Sequence, residues 1–546
     1  MRTKISIAML RSVTRSALIA LLTLLPPLAA RAQQSNAPRP KAILIGSPNE
    51  DRRRLDQLFG TAPLAGSLIR SPSASWLGDT STSGRQWGLV EPVIDATWNS
   101  QIPFSLDDGA LWAGRGLSTR VTAGIEARFG LLHVLIAPEV GWVENRAFNL
   151  LPSGIPGRSD FASPFQSGPV SADVPTRFGS QSFASANPGQ SAAWMSLGRV
   201  DAGFSTENQW WGPALQNALI MSDNAPGIPE AFVRTNRPWH TRAGDVEAKA
   251  ILGELTESLY FDDDRTNDHR AISGGIVTFA PSIEPHLTLG AGRIVMSQAS
   301  DVGAAAGHAL DVLTRWSTAR GTPPRDSVHA QGVDQLTSLF GRWVFPASGL
   351  EVYGEWARML PPISLRDLFV APQKTQGYTI GMQMAGRVMG RGPLRFQAEV
   401  TDLEQTPTSR AGDTLSFYTS RVVPQGFTQR GQVIGAPIGP GGSSQLLAID
   451  YMPPTWDVGL FGERIRWNDD AYYRQLTGIS FFSHDVSVLG GIRGTVKAMG
   501  STIHAELSLT HRFNFMFQNL RGGFGPLSGN DVHNETLRIW WSPLER

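Results

Sequence analysis

The sequence contains no cysteine, so neither disulfide bonds nor thiolate ligands contribute to the fold. Beyond the N-terminus it also lacks any apolar run of about 18 residues, the minimum for a transmembrane helix. Such a chain can enter a membrane only as a closed β-barrel, because only helices and closed barrels satisfy every backbone polar group in lipid. It has no basic face of the kind that binds nucleic acid, which excludes a nucleic-acid partner.

The first 32 residues have the three parts of a secretory signal peptide. Ala17 to Leu25 is a short apolar run, and Ala30-Arg31-Ala32 supplies small residues for a cleavage site. The basic residues before the run are Arg2, Lys4, Arg11 and Arg15. We predict a signal peptide over residues 1–32, cleaved after Ala32; the run is too short to favour an uncleaved anchor. Removing its five Lys and Arg leaves 43 basic and 47 acidic residues, a net charge of −4.

Residues 33–86 are predicted to form a periplasmic leader with one short helix, over about residues 48–59. Ser47 is suited to cap the helix, and Glu50, three residues later, completes a capping box. Pro48 fits the first helical position because its fixed φ suits a helix start. The helix has an apolar stripe at helical spacing, formed by Leu55, Leu58 and Phe59.

From Trp87 to the C-terminus the hydrophobic pattern changes to strict alternation. Between Thr119 and Phe129, apolar side chains fall on one parity and charged or small residues on the other. This is the period of a β-strand with one apolar face. Similar segments recur to the end of the chain, and several continue for ten or more residues, longer than the 5–6 that are usual in soluble proteins.

Strand length and tryptophan placement favour a membrane barrel over a soluble sandwich or propeller. The polar parity carries charges of both signs, as a water-filled lumen allows. The tryptophans near predicted strand ends suit interfacial girdles: Trp87, Trp98, Trp142, Trp343, Trp456, Trp467, Trp540 and Trp541. The pattern predicts an all-β, transmembrane antiparallel β-barrel of about 16–20 strands over residues 87–546. Its extracellular loops or inward plugs are predicted at about 143–193, 223–243, 299–334 and 404–444.

The sequence offers no converging catalytic or metal-binding motif. Its ten histidines show no HExxH spacing, and no GxSxG elbow is present. Asp107-Asp108 and Asp262-Asp263-Asp264 could bind a cation, but adjacent acids on an extended chain alternate sides and do not converge. We therefore predict no enzymatic activity, no catalytic residue, no metal and no cofactor.

Four segments resemble the capsule assembly Wzi family. They are Trp98 to Gly116, Ser205 to Gly227 around Trp210-Trp211-Gly212-Pro213, Glu351 to Trp356 with the following Leu365–Leu368 and Tyr378–Gly381, and Gln425 to Gly441. No one of these motifs is strong alone, but their order and number make the resemblance fairly specific, and it covers most of the chain from about residue 40.

The resemblance implies an 18-stranded bacterial outer-membrane barrel with a small periplasmic helical element. It also implies a lectin-like role, in which the protein binds exported capsular or exopolysaccharide and helps assemble or attach it at the cell surface. The expected partners are that polysaccharide, outer-membrane lipid and polysaccharide export machinery. A diffusion channel without polysaccharide specificity is the alternative, and an open lumen lined by opposed charges would favour it.

Sugars present hydroxyls to amides and carboxylates, and apolar faces to aromatic rings. Two clusters combine these groups: Glu207, Asn208, Trp210 and Trp211, and Asp107, Asp108 and Trp112. Gln425 and Arg430 supply polar groups alone, and together these nine residues are the candidate polysaccharide site. Girdle tryptophans and merely solvated amides are the competing interpretation. If the strand that contains Val200 and Phe204 continues unbroken, Trp210 faces lipid and Trp211 faces the lumen.

Overall fold

The alternating segments predicted from the sequence pair with one another and close into an antiparallel β-barrel in a computed structural model of the chain. The structure describes residues 42–76, 85–166, 170–299, 302–314, 333–359, 364–388, 392–405, 415–475, 484–517 and 530–544. The predicted signal peptide, residues 1–32, lies outside these described residues. Within them, no helix combines the length and the apolar character needed to cross a membrane.

Over the described residues the barrel has 18 strands, which agrees with the predicted number. Strands β1 to β9 are Arg85–Asn99, Gly116–Phe129, Leu132–Ile136 with Glu139–Val143, Phe183–Asn187 with Ala192–Leu197, Val200–Ser205, Glu230–Thr235 with Trp239–His240, Gly244–Thr256, His269–Pro281 and Leu287–Gln298. Strands β10 to β18 are Val333–Phe345, Leu350–Arg358, Gln376–Arg387, Pro393–Asp402, Ser443–Tyr451, Trp456–Arg466, Val486–Ala498, Ser501–Phe513 and Val532–Ser542. Each strand pairs with the next, and β1 closes the cylinder by pairing with both β2 and β18.

The two faces of the wall differ as the alternation predicts. On β2 the outward Ile125 and Phe129 are 47% and 50% exposed, whereas the inward Glu126 is buried. Comparable exposed apolar side chains lie on the outer face of the other strands, among them Val233, Leu289, Leu339, Ile380, Leu447, Leu460, Ile492 and Leu509. A continuous apolar outer band around a polar inner wall is the arrangement of a membrane-spanning barrel.

The connections at the two ends of the barrel differ in length. Gly130 and Leu131 alone connect β2 to β3, and all other connections at that end are also short. The opposite end carries the long connections, which include the helices α2 Val302–Ala306, α3 Asp311–Thr314, α4 Leu365–Val370 and α5 Asp469–Gln475. Bacterial barrels have short periplasmic turns and long extracellular loops, so the first end is periplasmic and the second extracellular.

Most of the predicted girdle tryptophans lie on the outer face. Trp87, Trp343, Trp456 and Trp541 are 39–54% exposed at the periplasmic end, and Trp142 is 40% exposed near the extracellular end. The prediction was wrong for two tryptophans, both of which point into the barrel. Trp467 donates its Nε1–H to Ser487 Oγ at 2.9 Å, and Trp540 lines an internal chamber. Strand parity places Trp540 inward, whereas Trp467 lies just beyond the end of β15 at Arg466.

Helix α1, Pro48–Leu58, closes much of the periplasmic mouth and confirms the predicted helix. Its N-cap Ser47 accepts a hydrogen bond from the Glu50 N–H, as a capping box requires. Leu55 and Leu58 are buried against the inner wall and a periplasmic turn, in a cluster with Val344, Ala385 and Met452. On the helix's other face, Arg54 forms an ion pair of 2.5 Å with Glu351 of β11.

The lumen is filled by residues 206–229, which connect β5 to β6 and which we call the plug. Instead of extending the wall, the plug turns inward, and Trp210–Trp211 pairs with Ile69–Arg70 as a small two-stranded sheet. A hairpin of Thr428–Gln429 and Gln432–Val433 enters from the extracellular side. One apolar core joins the plug, this hairpin and the wall, through Trp211, Leu219, Ile220, Phe427, Ile434, Ile272, Ile294 and Leu336.

The loop prediction over 223–243 was partly wrong, because β6 begins at Glu230 within it. The plug itself begins earlier, at residue 206, directly after β5 ends at Ser205. The polarity of the sequence does not mark where the plug ends and β6 begins, since both segments mix apolar and polar residues. What separates them is pairing: β6 has a partner strand on each side, and the plug leaves the wall.

Candidate functional site

Trp210 and Trp211 lie together inside the lumen, where they are 3% and 1% exposed. The expectation that Trp210 faces lipid is wrong, because the strand ends at Ser205 and the chain turns inward. Trp211 donates its Nε1–H to Gln209 Oε1 at 3.0 Å, and the Arg70 guanidinium lies 4.7 Å from the Trp210 ring centroid. The faces of both rings are therefore buried in packing contacts of the plug.

Glu207 and Asn208 hold the base of the plug. The Glu207 carboxylate accepts hydrogen bonds from Ser73 N and Ser73 Oγ at 2.5 and 2.6 Å. Asn208 exchanges hydrogen bonds with Gln190 and donates to the Ala225 carbonyl at 2.7 Å. Because these polar groups are buried and paired, they fix the chain direction of the plug.

The centre of the plug is bound by an inward carboxylate of the wall. Glu399 of β13 accepts hydrogen bonds from the backbone N–H groups of Leu215, Gln216 and Asn217 at 2.6, 3.1 and 3.0 Å. The Tyr353 hydroxyl donates to the same carboxylate at 2.8 Å. One carboxyl group therefore satisfies several backbone donors of an irregular segment in the lumen.

Asp107 and Asp108 line a chamber of about 410 Å³ between the plug and strands β13 to β18 and β1 to β3. Asp108 accepts from Ser105 Oγ at 2.6 Å and forms an ion pair of 3.2 Å with Arg538. Burial and the adjacent charge of Asp108 raise the pKa of Asp107 well above its usual value. The chamber lining carries charges of both signs. Its further acidic side chains include Asp95, Glu139, Asp223, Asp450, Asp457, Glu463 and Glu506, and its arginines are Arg54, Arg70, Arg120, Arg395, Arg493 and Arg538.

An aromatic surface cluster lies at the extracellular end, and we call it the aromatic patch. Its members are half-buried and come from four separate segments: Trp112, Phe161, Phe178, Phe183 and Tyr260. Phe178 is the central ring, with centroids 4.8 Å from Trp112, 5.8 Å from Tyr260 and 6.3 Å from Phe183. Rings that are packed on one side and open on the other offer a ligand apolar faces at little entropic cost.

Buried polar contacts hold the Phe178 backbone in place below the patch. Asn145 donates its side-chain N–H groups to the carbonyls of Phe178, Gly179 and Gln181 at 2.9, 3.0 and 2.9 Å. Arg177 donates to Asn145 Oδ1 at 3.1 Å and to its carbonyl at 2.6 Å. Gly179 is required here, since its φ is +75° and an added Cβ would lie 2.8 Å from the Tyr260 hydroxyl.

Gln425 supports the loop that carries Tyr260. Its Nε2 donates to the Glu257 carboxylate and to Asn267 Oδ1, the latter at 2.9 Å. Burial raises the pKa of Glu257 to about 8, although the hydrogen bond from Gln425 acts in the opposite direction. Gln425 is itself fully buried, so it positions the loop and does not reach the surface.

Arg430 is exposed at the tip of the inserted hairpin, beside the aromatic patch. Arg430 and Gly431 form its two-residue turn with φ of +48° and +86°, the combination that a type I′ turn needs. An added Cβ on Gly431 would lie 2.9 Å from the Phe178 ring, which places the turn against the patch. Arg430 donates to Asn187 Oδ1 at 2.7 Å. A positive φ at arginine is uncommon and calls for a functional explanation.

The predicted polysaccharide-binding residues therefore do not form one site but lie in separate parts of the structure. Trp112 and Arg430 meet at the aromatic patch, Gln425 lies beneath it, and the remaining six belong to the plug or the chamber. Sequence reasoning missed Phe161, Phe178, Phe183 and Tyr260, because they are far apart in the chain; the three phenylalanines also lie in the segment 143–193, which was interpreted as a loop. The one local signal of the three phenylalanines is their occurrence as isolated aromatic residues in a Gly- and Pro-rich stretch.

Comparison with known proteins gives matches in family and fold. The family model described as capsule assembly protein Wzi matches residues 180–460. A solved structure of Wzi, an outer membrane protein involved in group 1 capsule assembly in Escherichia coli and a carbohydrate-binding β-barrel, is 12% identical with a TM-score of 0.53, covering 84% of this chain and 85% of that one. Acinetobacter baumannii OccAB2 is 9% identical with a TM-score of 0.41, covering 84% and 97%.

A BenF-like porin from Pseudomonas fluorescens is 7% identical with a TM-score of 0.39, covering 84% of this chain and 97% of that one. A search of curated proteins gave no match. The family model spans more than half of the sequence, including β5, the plug and the inserted hairpin. The chain belongs to the capsule assembly protein Wzi family.

Proposed function

We propose that the protein binds exported capsular or exopolysaccharide at the aromatic patch, and that it helps to assemble or attach this polymer at the cell surface. The observation that carries the proposal is the set of five half-buried rings at the extracellular end. Family membership and the carbohydrate-binding character of Escherichia coli Wzi support it.

The patch offers the groups that an acidic or neutral glycan needs. Trp112 and Phe178 supply apolar faces for sugar rings. The exposed guanidinium of Arg430 can contact a glycan carboxylate, and the Arg158–Asp262 ion pair of 2.9 Å borders the loop of Tyr260 with further polar groups. Glu207, Asn208, Trp210 and Trp211 act indirectly in this proposal, since they hold the plug beneath the site.

A diffusion channel is the alternative function, and the filled lumen argues against it. The plug, helix α1 and the inserted hairpin occupy the interior over the described residues. At the extracellular end, an apolar cluster covers the lumen beside β16 to β18, formed by Ile102, Phe165, Ala471, Tyr472, Phe515, Met516 and Phe517. A general porin needs a continuous aqueous path, which this packing opposes.

The proposed role is non-enzymatic and takes place at the outer membrane. The outer-face apolar band would contact outer-membrane lipid, and the export machinery that delivers the polymer is a further proposed partner. In the proposed organisation, residues 1–32 are a signal peptide removed after Ala32, residues 33–86 are a periplasmic leader, and residues 87–546 are the barrel.

The direct test is binding of capsular or exopolysaccharide, purified from the same bacterium, to the full-length protein in detergent. Trp112→Ala and Phe178→Ala should each weaken binding about tenfold, because each removes a sugar-stacking face. Trp541→Ala is the matched control, since it removes an equally large exposed ring from the periplasmic girdle. Equal binding by all four proteins would contradict the proposed site.

A cellular test then separates binding from channel activity. Cells that produce the Trp112→Ala variant should release more polysaccharide into the medium than wild-type cells, whereas the Trp541→Ala variant should retain it. In a planar bilayer the wild-type barrel should be silent. Steady conductance together with unchanged polysaccharide retention would favour the diffusion channel instead.

A further inference from the structure

The barrel wall has a notch in its extracellular half, next to the plug. Strand β5 ends at Ser205 and β6 begins at Glu230, and these two residues pair with each other. The neighbouring β7 continues three residues beyond its pairing with Glu230, from Gly253 to Thr256. On the other side, β4 continues to Phe183. The wall therefore extends less far toward the extracellular side at this point, because the chain that would continue it has turned into the lumen.

A groove of about 680 Å³ runs along the outer surface at this notch. Its wall consists almost wholly of apolar atoms, contributed by outward side chains that include Ile136, Ala193, Phe204, Ala231 and Leu252. Phe204 is 73% exposed and Ile136 is 48% exposed, so the groove belongs to the lipid-facing band. Its occupant in the membrane is therefore apolar.

A segment that folds back onto the outer wall forms the far side of the groove. Ala305 of α2 is buried against the outward Ala271 of β8, and Ala305 and Ala306 line the groove. Helix α3 is fixed beside it, since Val312 N donates to the outward Ser273 Oγ at 3.0 Å and Ser297 Oγ donates to Asp311 at 2.9 Å. The groove thus lies between the barrel wall and this fixed segment.

The charges around the groove favour an anionic headgroup at its extracellular end. The two carboxylates in its lining each have a nitrogen-bearing partner: Glu254 contacts His269, and Glu230 lies 3.3 Å from Lys249. Arg430 lies directly above, because its N–H donates to the Thr256 carbonyl and its guanidinium to Asn187, the residue before the groove residue Pro188. An exposed cation at the rim of an apolar groove matches a lipid with a charged head and an acyl chain.

We propose that this groove binds one acyl chain of an anionic lipid of the outer leaflet, with the lipid's headgroup held by Arg430. The acyl-chain part of this inference does not rest on the proposed polysaccharide site, since the groove residues lie outside the aromatic patch; Arg430 is the one residue that both proposals use. It assigns a specific lipid site to the outer wall, at the point where the plug leaves it.

The test is native mass spectrometry of the full-length protein in detergent, titrated with phosphatidylglycerol and with phosphatidylcholine of the same chain length. Wild-type protein should bind one phosphatidylglycerol at least about tenfold more tightly than one phosphatidylcholine. Ala193→Trp and Ala231→Trp, which fill the groove from the two sides of Phe204, should each abolish this tight first binding. Ala505→Trp, on the lipid-facing side of β17, is the matched control and should bind like wild type.

The headgroup contact is tested separately. Arg430→Gln should remove the preference for phosphatidylglycerol, whereas Arg430→Lys should retain most of it. Tight binding that survives in both groove-filling variants, or equal affinity of the wild type for the two lipids, would overturn the proposal. Binding of the purified polysaccharide by Ala193→Trp and Ala231→Trp is measured in parallel and should be unchanged, so that failure at one site is not mistaken for failure at the other.

Discussion

The plug and the aromatic patch are built from the same kinds of residue and do different things. The plug contains Trp211, 1% exposed, among amides and carboxylates that are paired to one another. The patch contains Trp112, half-buried beside rings from other loops. A tryptophan with amide neighbours is therefore not in itself a sugar site. The plug and the patch differ in how much aromatic surface stays exposed after packing, and of the two only the patch leaves aromatic faces available to a ligand.

Removing the carboxylate that holds the plug should have the largest effect on this comparison. Glu399→Ala leaves three backbone donors without this acceptor, that of the buried Asn217 and those of the half-buried Leu215 and Gln216, and a buried unsatisfied donor costs about 1–3 kcal/mol. We expect the plug to open, and the otherwise silent barrel to show conductance steps in a planar bilayer. Glu463→Ala is the control, because Glu463 accepts a single hydrogen bond of 3.3 Å from the Gln216 side chain. A silent Glu399→Ala barrel would show that packing alone holds the plug.

The two tryptophans should respond oppositely when each is truncated. Trp211→Ala leaves a cavity in the core and should lower the free energy of unfolding of the plug by about 3–5 kcal/mol. Trp112→Ala should change stability by less than about 1 kcal/mol while weakening polysaccharide binding. Hydrogen exchange of the plug amides and a binding titration measure the two effects. Similar losses in both assays for both variants would remove the distinction between plug and patch.

The order of the loop beneath the patch should depend on pH. The pKa of Glu257 is raised to about 8 by burial, whereas in the unfolded loop it has its ordinary value. Between these two values the folded loop holds a proton that the unfolded loop has released, so the loop's stability falls as pH rises toward 8. Limited proteolysis of residues 257–268 should therefore be faster at pH 8.5 than at pH 6. Glu257→Gln should flatten this dependence, and an unchanged profile would exclude Glu257 as its source.

The smallest expected effect concerns the hairpin tip beside the patch. Arg430 has a φ of +48°, which asparagine adopts more readily than arginine. Arg430→Asn should therefore stabilise the hairpin by about 1 kcal/mol, measured by hydrogen exchange of residues 428–433. The same change removes the charge and should weaken binding of an acidic polysaccharide. Weaker binding despite a more stable hairpin would show that the strain serves to position the guanidinium.

Much of the barrel was predictable because its signals are local. Alternation places Ile125 outward and Glu126 inward whatever the rest of the chain does, since successive side chains on a strand face opposite sides. The start of α1 is likewise determined by three neighbouring residues, Ser47, Pro48 and Glu50. The plug was not predictable in this way. Its inward turn depends on Glu399, which lies more than 180 residues further along the chain from Leu215.

The sequence by itself determined the strands, their outward and inward faces, the short helix at the mouth and the resemblance to the Wzi family. These follow from periodicity, capping and motif order, which act over a few residues. The tertiary structure alone decided that Trp210 and Trp211 are buried, that Phe178 meets Trp112 and Tyr260, and that the wall is notched. Each of these depends on segments far apart in the chain, because burial is a property of what packs against a residue and not of the residue itself.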